Sequence, residues 1–205
     1  MNKLAETPNI ALDIETLSTQ PTAAIISIAA REFTFSGGAQ KDERSRFLCL
    51  VNAASCAMEG MHFDMDTVHW WEQQSTAAKA PYELMSGQCI PICKALDSLT
   101  KFIDQIRAKS PNNKILIWCQ GTDFDIPILK HAYHKCLGWK APWFHHELRD
   151  ARTFIHTTIG LIRPDVEDPY SLIPKNPDWN PHEALSDVDQ LIWNVLHVRD
   201  LFNTY

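Results

Sequence analysis

No stretch of the chain approaches the roughly 18 consecutive apolar residues of a membrane-spanning helix. The opening residues, MNKLAETPN, lack the apolar segment of a secretory signal, so a cytoplasmic protein with reduced thiols is expected. A cationic excess is missing too. The formal net charge is −6, which excludes a protein that coats nucleic acid by bulk electrostatics. It does not exclude a nuclease, because a metal-dependent site concentrates carboxylates whose charge bound cations offset locally. The six cysteines (Cys49, Cys56, Cys89, Cys93, Cys119 and Cys136) lack zinc-finger spacing: Cys89 and Cys93 have neither a second pair nor a histidine pair at finger distance. Repeats, low-complexity tracts and linkers are absent. With 205 residues, 45% hydrophobic and 21% charged, the chain reads as one domain, residues 1–205, with a substantial core.

What is present is an alternation of strand and helix patterns. Ile10–Ile14, Ala23–Phe35 and Arg46–Val51 read as three strands of an antiparallel meander, with turn chemistry at Ser36-Gly37-Gly38. Asp66 is positioned to cap a helix over TVHWWEQQ. Pro91–Arg107 places Ile92, Ala95, Leu96, Leu99, Phe102, Ile103 and Ile106 on one helical face. KILIW, residues 114–118, reads as a central strand, followed by a helix over Asp125–Cys136, a strand within Trp143–Leu148 and a short helix after Asp150. Arg163–Pro181 reads as a long loop, of the kind that is often functional. The last helix begins near His182 and runs to about Phe202. This order predicts an α/β fold: a mixed sheet, antiparallel in its first three strands and then parallel, flanked by helices.

Acidic residues interrupt this pattern where a sheet's edge would lie. Asp13 and Glu15 are two apart on the first strand and so share a face, where they repel unless a cation lies between them. Hard oxygen donors suit Mg²⁺ or Mn²⁺. Asp123 and Asp125 follow the central strand. One of them is an N-cap by default, which assigns the cap to Asp123 and frees Asp125 to face the sheet. On the last helix Val188, Leu191, Ile192, Val195 and Leu196 define the buried stripe. At about 100° per residue, Asp187 flanks that stripe and Asp189 lies roughly opposite, as a surface charge. An acid at the margin of a buried face needs a partner or a metal. His182, five residues before Asp187 and directly after a Pro-rich loop, is placed either as a mobile general base or as an exposed residue at a helix start.

The ordered set formed by Asp13-x-Glu15, Phe124-Asp125 and His182-x₄-Asp187 resembles the DEDDh 3′→5′ exonucleases, over nearly the whole chain. DTVHWWEQQS and RDARTF bring it nearest to a compact bacterial and phage exoribonuclease branch. The chain departs from the common Thr-Thr-Gly after Asp-x-Glu, having Thr16-Leu17-Ser18. The resemblance implies a ribonuclease H-like fold. Asp13, Glu15, Asp125 and Asp187 would be ligands of two Mg²⁺ ions, with Mn²⁺ as substitute, about 4 Å apart. His182 would activate the attacking water, and nucleoside 5′-monophosphates would leave one by one. It further implies single-stranded 3′ ends as substrate, RNA before DNA, and a homodimer. Thr16 and Leu17 would meet the terminal nucleotide.

Trp70 and Trp71 are candidates either for base stacking or for the core. Arg149, Arg152 and Arg163 are candidates for phosphate contact by charge, Arg152 foremost. Lys130, His131, His134 and Lys135 either meet phosphates or form a solvated face. The rival readings are a 3′→5′ exodeoxyribonuclease of the same superfamily, a catalytically silent nucleic-acid-binding module, and a phosphatase using LDIET. The last would need Asp, not Glu15, at the second acidic position.

Overall fold

A computed structural model of the chain describes residues 7–39, 45–75 and 88–204. Its centre is a six-stranded mixed sheet. β1 (Asn9–Thr16) pairs antiparallel with β2 (Ile25–Thr34). The far edge of β2 carries both β3 (Gly38–Ala39) and β4 (Arg46–Leu50), each antiparallel to it. On its other side β1 pairs parallel with β5 (Leu116–Cys119), and β5 pairs parallel with β6 (Leu148–Asp150). The antiparallel-then-parallel order is the one expected.

Alternation along β1 divides the core. Ile10, Leu12 and Ile14 point to one face and join a cluster with α3 (Ile92–Lys109) and α4 (Asp125–Leu137). All seven apolar residues predicted for the α3 face are buried. Ala11 points to the other face with Ala29 and Trp118, against Val188, Leu191 and Val195 of α6 (Ala184–Thr204). Two alanines on the sheet let this last helix approach closely, and that approach builds the site. α5 (Ala151–Ile162) packs beside it through Ile155 and Ile159, against Val198. Among the described residues no helix is long and apolar enough to cross a membrane, and all six cysteines are free thiols.

Several local expectations are corrected. Between β4 and α3 lie α1 (Ala53–Met58) and α2 (Met65–Glu72). Asp64, not Asp66, caps α2: its carboxylate accepts from Asp66 N at 3.0 Å. The residue before α4 is Phe124, which makes no side-chain cap, so Asp123 is not a cap either. The apolar run before Leu148 forms a 3-10 turn over His145–Glu147 instead of a strand, because Glu147 turns back to accept from Phe144 N at 2.9 Å and is buried by Arg107, 3.0 Å away. The helix after Asp150 has 12 residues, started by an Asp150 side chain accepting from Thr153 N at 2.7 Å. The loop 163–181 holds one 3-10 turn, Pro169–Leu172.

Candidate active site

β1 ends in a register shift between Glu15 and Thr16, a local bend of the kind that re-aims side chains at a sheet's rim. Asp13 and Glu15 therefore stand half-buried on the α6 side of the sheet. Asp125 opens α4 directly behind the β5 turn. It is 4% exposed, and its Oδ1 accepts from Ile14 N at 3.3 Å. In the turn leading to it, a Cβ on Gly121 would meet Asp123 Oδ1 at 3.0 Å, so the exposed Asp123 carboxylate would have to give by a few tenths of an ångström.

Four carboxylates converge here, and their titration registers it. Burial first, then the charges of Asp125, Glu15 and Asp187, hold Asp13 well above the usual carboxylate range. Burial, then Asp187 and Asp125, push Glu15 up to about 8. Burial pushes Asp125 up to about 7, even though the Ile14 N–H favours its charged form. Asp187 is also raised, by burial, against the pull of its two hydrogen-bond donors. A pocket of this size cannot hold four negative charges without a compensating cation.

The donors to Asp187 come from the long loop. Trp179 Nε1–H donates to Oδ1 at 2.7 Å, and the His182 backbone N–H to Oδ2 at 2.8 Å. Asn180 N, bonded to Ser186 Oγ at 2.8 Å, folds the loop onto the first turn of α6. His182 thus precedes the helix, with φ of +65°, a left-handed backbone rare outside glycine. Its ring packs edge-on against Trp70, centroids 4.8 Å apart. One ligand atom from each of Glu15, His182 and Asp187 lies within 4.8 Å of the others, a spacing that could hold a metal ion. Asp189 faces away from this group and pairs with Arg31 at 2.6 Å, half-buried rather than a free surface charge.

The remaining candidates separate. Trp71 is 1% exposed and donates its indole N–H to Thr16 O at 2.8 Å. Leu17 is buried in the main cluster. Both side chains build the wall of the site, and Trp71 also lines the cleft beside Trp70. Trp70, 40% exposed, lines a cleft of about 420 Å³ with Glu15, Thr16 and Phe124. Arg152 lines the carboxylate pocket itself. Arg149 donates to the carbonyls of His146 and Leu148, and Arg163 to Asp165. Lys130 and His134 lie in a separate cavity. Ser18, standing where glycine is common, needs no left-handed backbone. Its hydroxyl is fixed by His62 Nδ1 at 2.8 Å.

Three residues beside the acids escape sequence reasoning: Trp179, Gln120 and Tyr170. Gln120 donates to Tyr170 Oη at 2.6 Å and ties the end of β5 to the long loop. All three line a cavity of about 810 Å³ that reaches Asp13, His182 and Asp187. The only signal is a pair of aromatic residues, Tyr170 and Trp179, inside a Pro-rich loop.

The acids thus gather at one rim of a mixed sheet, where β1, α4 and α6 meet. Residues 8–198 match the model of the Rv2179c-like 3′–5′ exoribonuclease domain, and the chain belongs to that family. Among solved structures, one of exonuclease I superposes with a TM-score of 0.67 at 14% identity, over 97% of this chain and 43% of that one. Exonuclease I from Methylocaldum szegediense gives 0.65 at 14%, over 97% and 42%. E. coli exonuclease I in complex with a dT13 oligonucleotide gives 0.61 at 13%, over 91% and 40%. At these identities the likeness is one of fold, and the chain spans less than half the length of these proteins. No curated protein matches the chain.

Proposed function

We propose that the chain is a divalent-metal-dependent 3′→5′ exoribonuclease that releases nucleoside 5′-monophosphates. The observation that carries this reading is the convergence of Asp13, Glu15, Asp125 and Asp187 beside His182. The donor set fits Mg²⁺ or Mn²⁺: hard oxygens, all raised in pKa by burial and several by one another, with no lysine or arginine ion-paired to any of them among the described residues. When bound, such ions supply Lewis acidity to the attacking water and to the departing 3′ oxygen. The protein's own part follows from its residues. His182 takes the proton from the water. Arg152 sets its guanidinium against the phosphate. Trp70 offers a face to the terminal base, beside Thr16. Trp179 Nε1–H and the His182 N–H each hold one oxygen of Asp187 at the wall of the cleft.

RNA is favoured by the family's description as an exoribonuclease. DNA is the second reading, because the similar exonuclease I structures hold deoxyoligonucleotides. A gel time course on 5′-labelled single-stranded RNA and matching DNA, with Mg²⁺, Mn²⁺ or EDTA, tests both. Shortening of RNA from the 3′ end, lost in EDTA, is expected. Shortening of DNA alone would move the substrate, and no shortening of either would overturn the proposal.

The pH dependence of stability has a fixed sign. Glu15 rises from 4.5 to about 8 and Asp125 from 3.8 to about 7. The folded protein therefore holds protons that the unfolded chain releases. Their stabilisation is complete below about pH 4 and is lost as pH climbs to about 8. Metal-free protein should melt lower at pH 8 than at pH 5.5, and saturating Mg²⁺ or Mn²⁺ should raise Tm more at pH 8, where fewer protons must be displaced. Calorimetry at the two pH values checks it. A metal shift of equal size at both would contradict it.

A further inference from the structure

Between Ile126 and Phe144, and on through His146, the chain carries three lysines, four histidines and no acid, in a protein of net charge −6. The structure gathers much of this run into one basin at the far end of α4. A cavity of about 650 Å³ is lined by Lys130, His134, Trp139, Lys140, Trp143 and Phe144, among others. The helix dipole accounts for His134 and Lys135 in the last turn. It does not account for Lys130, one turn earlier, or for Lys140, His145 and His146 beyond the Gly138 cap.

Aromatic surface is interleaved with the charge. Trp139 is 52% exposed and Phe144 61%. Phe144 stacks on His146, with 6° between the ring planes and 5.5 Å between centroids. Trp143, 7% exposed, lines the basin as well. An exposed flat aromatic costs solvation, which a ligand with π-faces recovers. Clustered cations without acids add a demand for negative charge. A single-stranded polynucleotide meets both.

We propose that this basin holds the body of the same strand whose 3′ end lies in the carboxylate cleft. The inference rests on the exonuclease reading for its substrate. From Asp125 to Leu137 the helix rises about 18 Å, so only a strand of several nucleotides spans both places. Length dependence is therefore built into the geometry: short ends are trimmed without the basin, and longer strands are anchored by it.

The test uses the doubly charge-reversed variant Lys130→Glu/Lys140→Glu and, separately, Trp139→Ala. All three side chains are exposed, outside the core clusters. Binding is read by anisotropy of a labelled oligouridylate dodecamer in EDTA, so it does not require turnover. Kd should weaken about tenfold or more in each variant, and the salt slope of the charge-reversed one should flatten by about 1.4. Turnover of a dinucleotide should stay unchanged while kcat/KM for the dodecamer falls by a similar factor. An equal loss with the deoxy dodecamer supports the same contact, since backbone and base faces are common to both strands. Unchanged dodecamer binding in both variants would overturn the proposal. So would a change confined to self-association in sedimentation, or to capture of an acidic peptide, which would make the basin a protein interface. If the wild type cuts nothing but binds through the basin, the exonuclease reading fails and the basin stands.

Discussion

Asp13→Asn should abolish 3′ shortening and, in the metal-free protein, raise the melting temperature. The two effects have opposite signs for one reason. Asp13 sits on β1 within reach of the charges of Asp125, Glu15 and Asp187. The amide keeps the shape, removes one of four mutually repelling groups, and donates to the carboxylates left behind. Relief of about 1 kcal/mol corresponds to about 2–4 °C in a domain of this size. The same change removes an oxygen proposed as a metal ligand, and a rate loss of at least about a thousandfold, ~4 kcal/mol of barrier, is expected. Asp189→Asn is the control. It breaks the 2.6 Å pair with Arg31 on the outer flank of α6, which should lower stability by at most about 1 kcal/mol and leave activity intact. Rate assays and metal-free melting at pH 8 decide the matter. If Asp13→Asn loses both activity and stability, Asp13 is a structural residue. If it keeps activity, the chemistry lies elsewhere.

The parts legible in the sequence were those carried by a period. Two-residue alternation put Asp13 and Glu15 on one face of β1. Helical alternation recovered the buried face of α3 and separated Asp187, which enters the cleft, from Asp189, which does not. The same angular argument missed Arg31, because an ion pair between β2 and α6 depends on how two distant elements dock. Where two residues could play one role, local chemistry did not choose: Asp64 and Asp66 are both competent caps, and the helix begins at the earlier one. WFHHEL has the composition of a strand, yet Glu147 needs Arg107, 40 residues away in sequence, and that long-range demand bends the segment into a 3-10 turn. Trp179, Gln120 and Tyr170 lie in or beside an aperiodic loop, so nothing in their spacing pointed to the acids they surround. The fold and the charged centre were thus readable, while the uncharged groups that orient Asp187 were not.

His182, proposed above as the general base, has a backbone that any side chain resists. At φ +65° a non-glycine residue is disfavoured by about 1 kcal/mol or more. The conformation persists because the His182 N–H bonds Asp187 and the ring lies against Trp70. His182→Gly separates the two roles. Glycine adopts positive φ freely and keeps the N–H on Asp187, so thermal stability should be equal to or slightly above that of the wild type. Activity should still fall by about 10²–10⁴-fold, the usual contribution of a positioned general base. Added imidazole should restore part of it, since glycine leaves a ring-sized space beside Trp70. His182→Ala should lose the same activity without the gain in backbone freedom, and so melt below His182→Gly. The pattern of three readouts matters more than any one of them. A rate within about threefold of wild type in both variants would remove His182 from the chemistry. A loss in His182→Ala that His182→Gly does not share would make the residue's contribution conformational, with Asp187 the group that it positions.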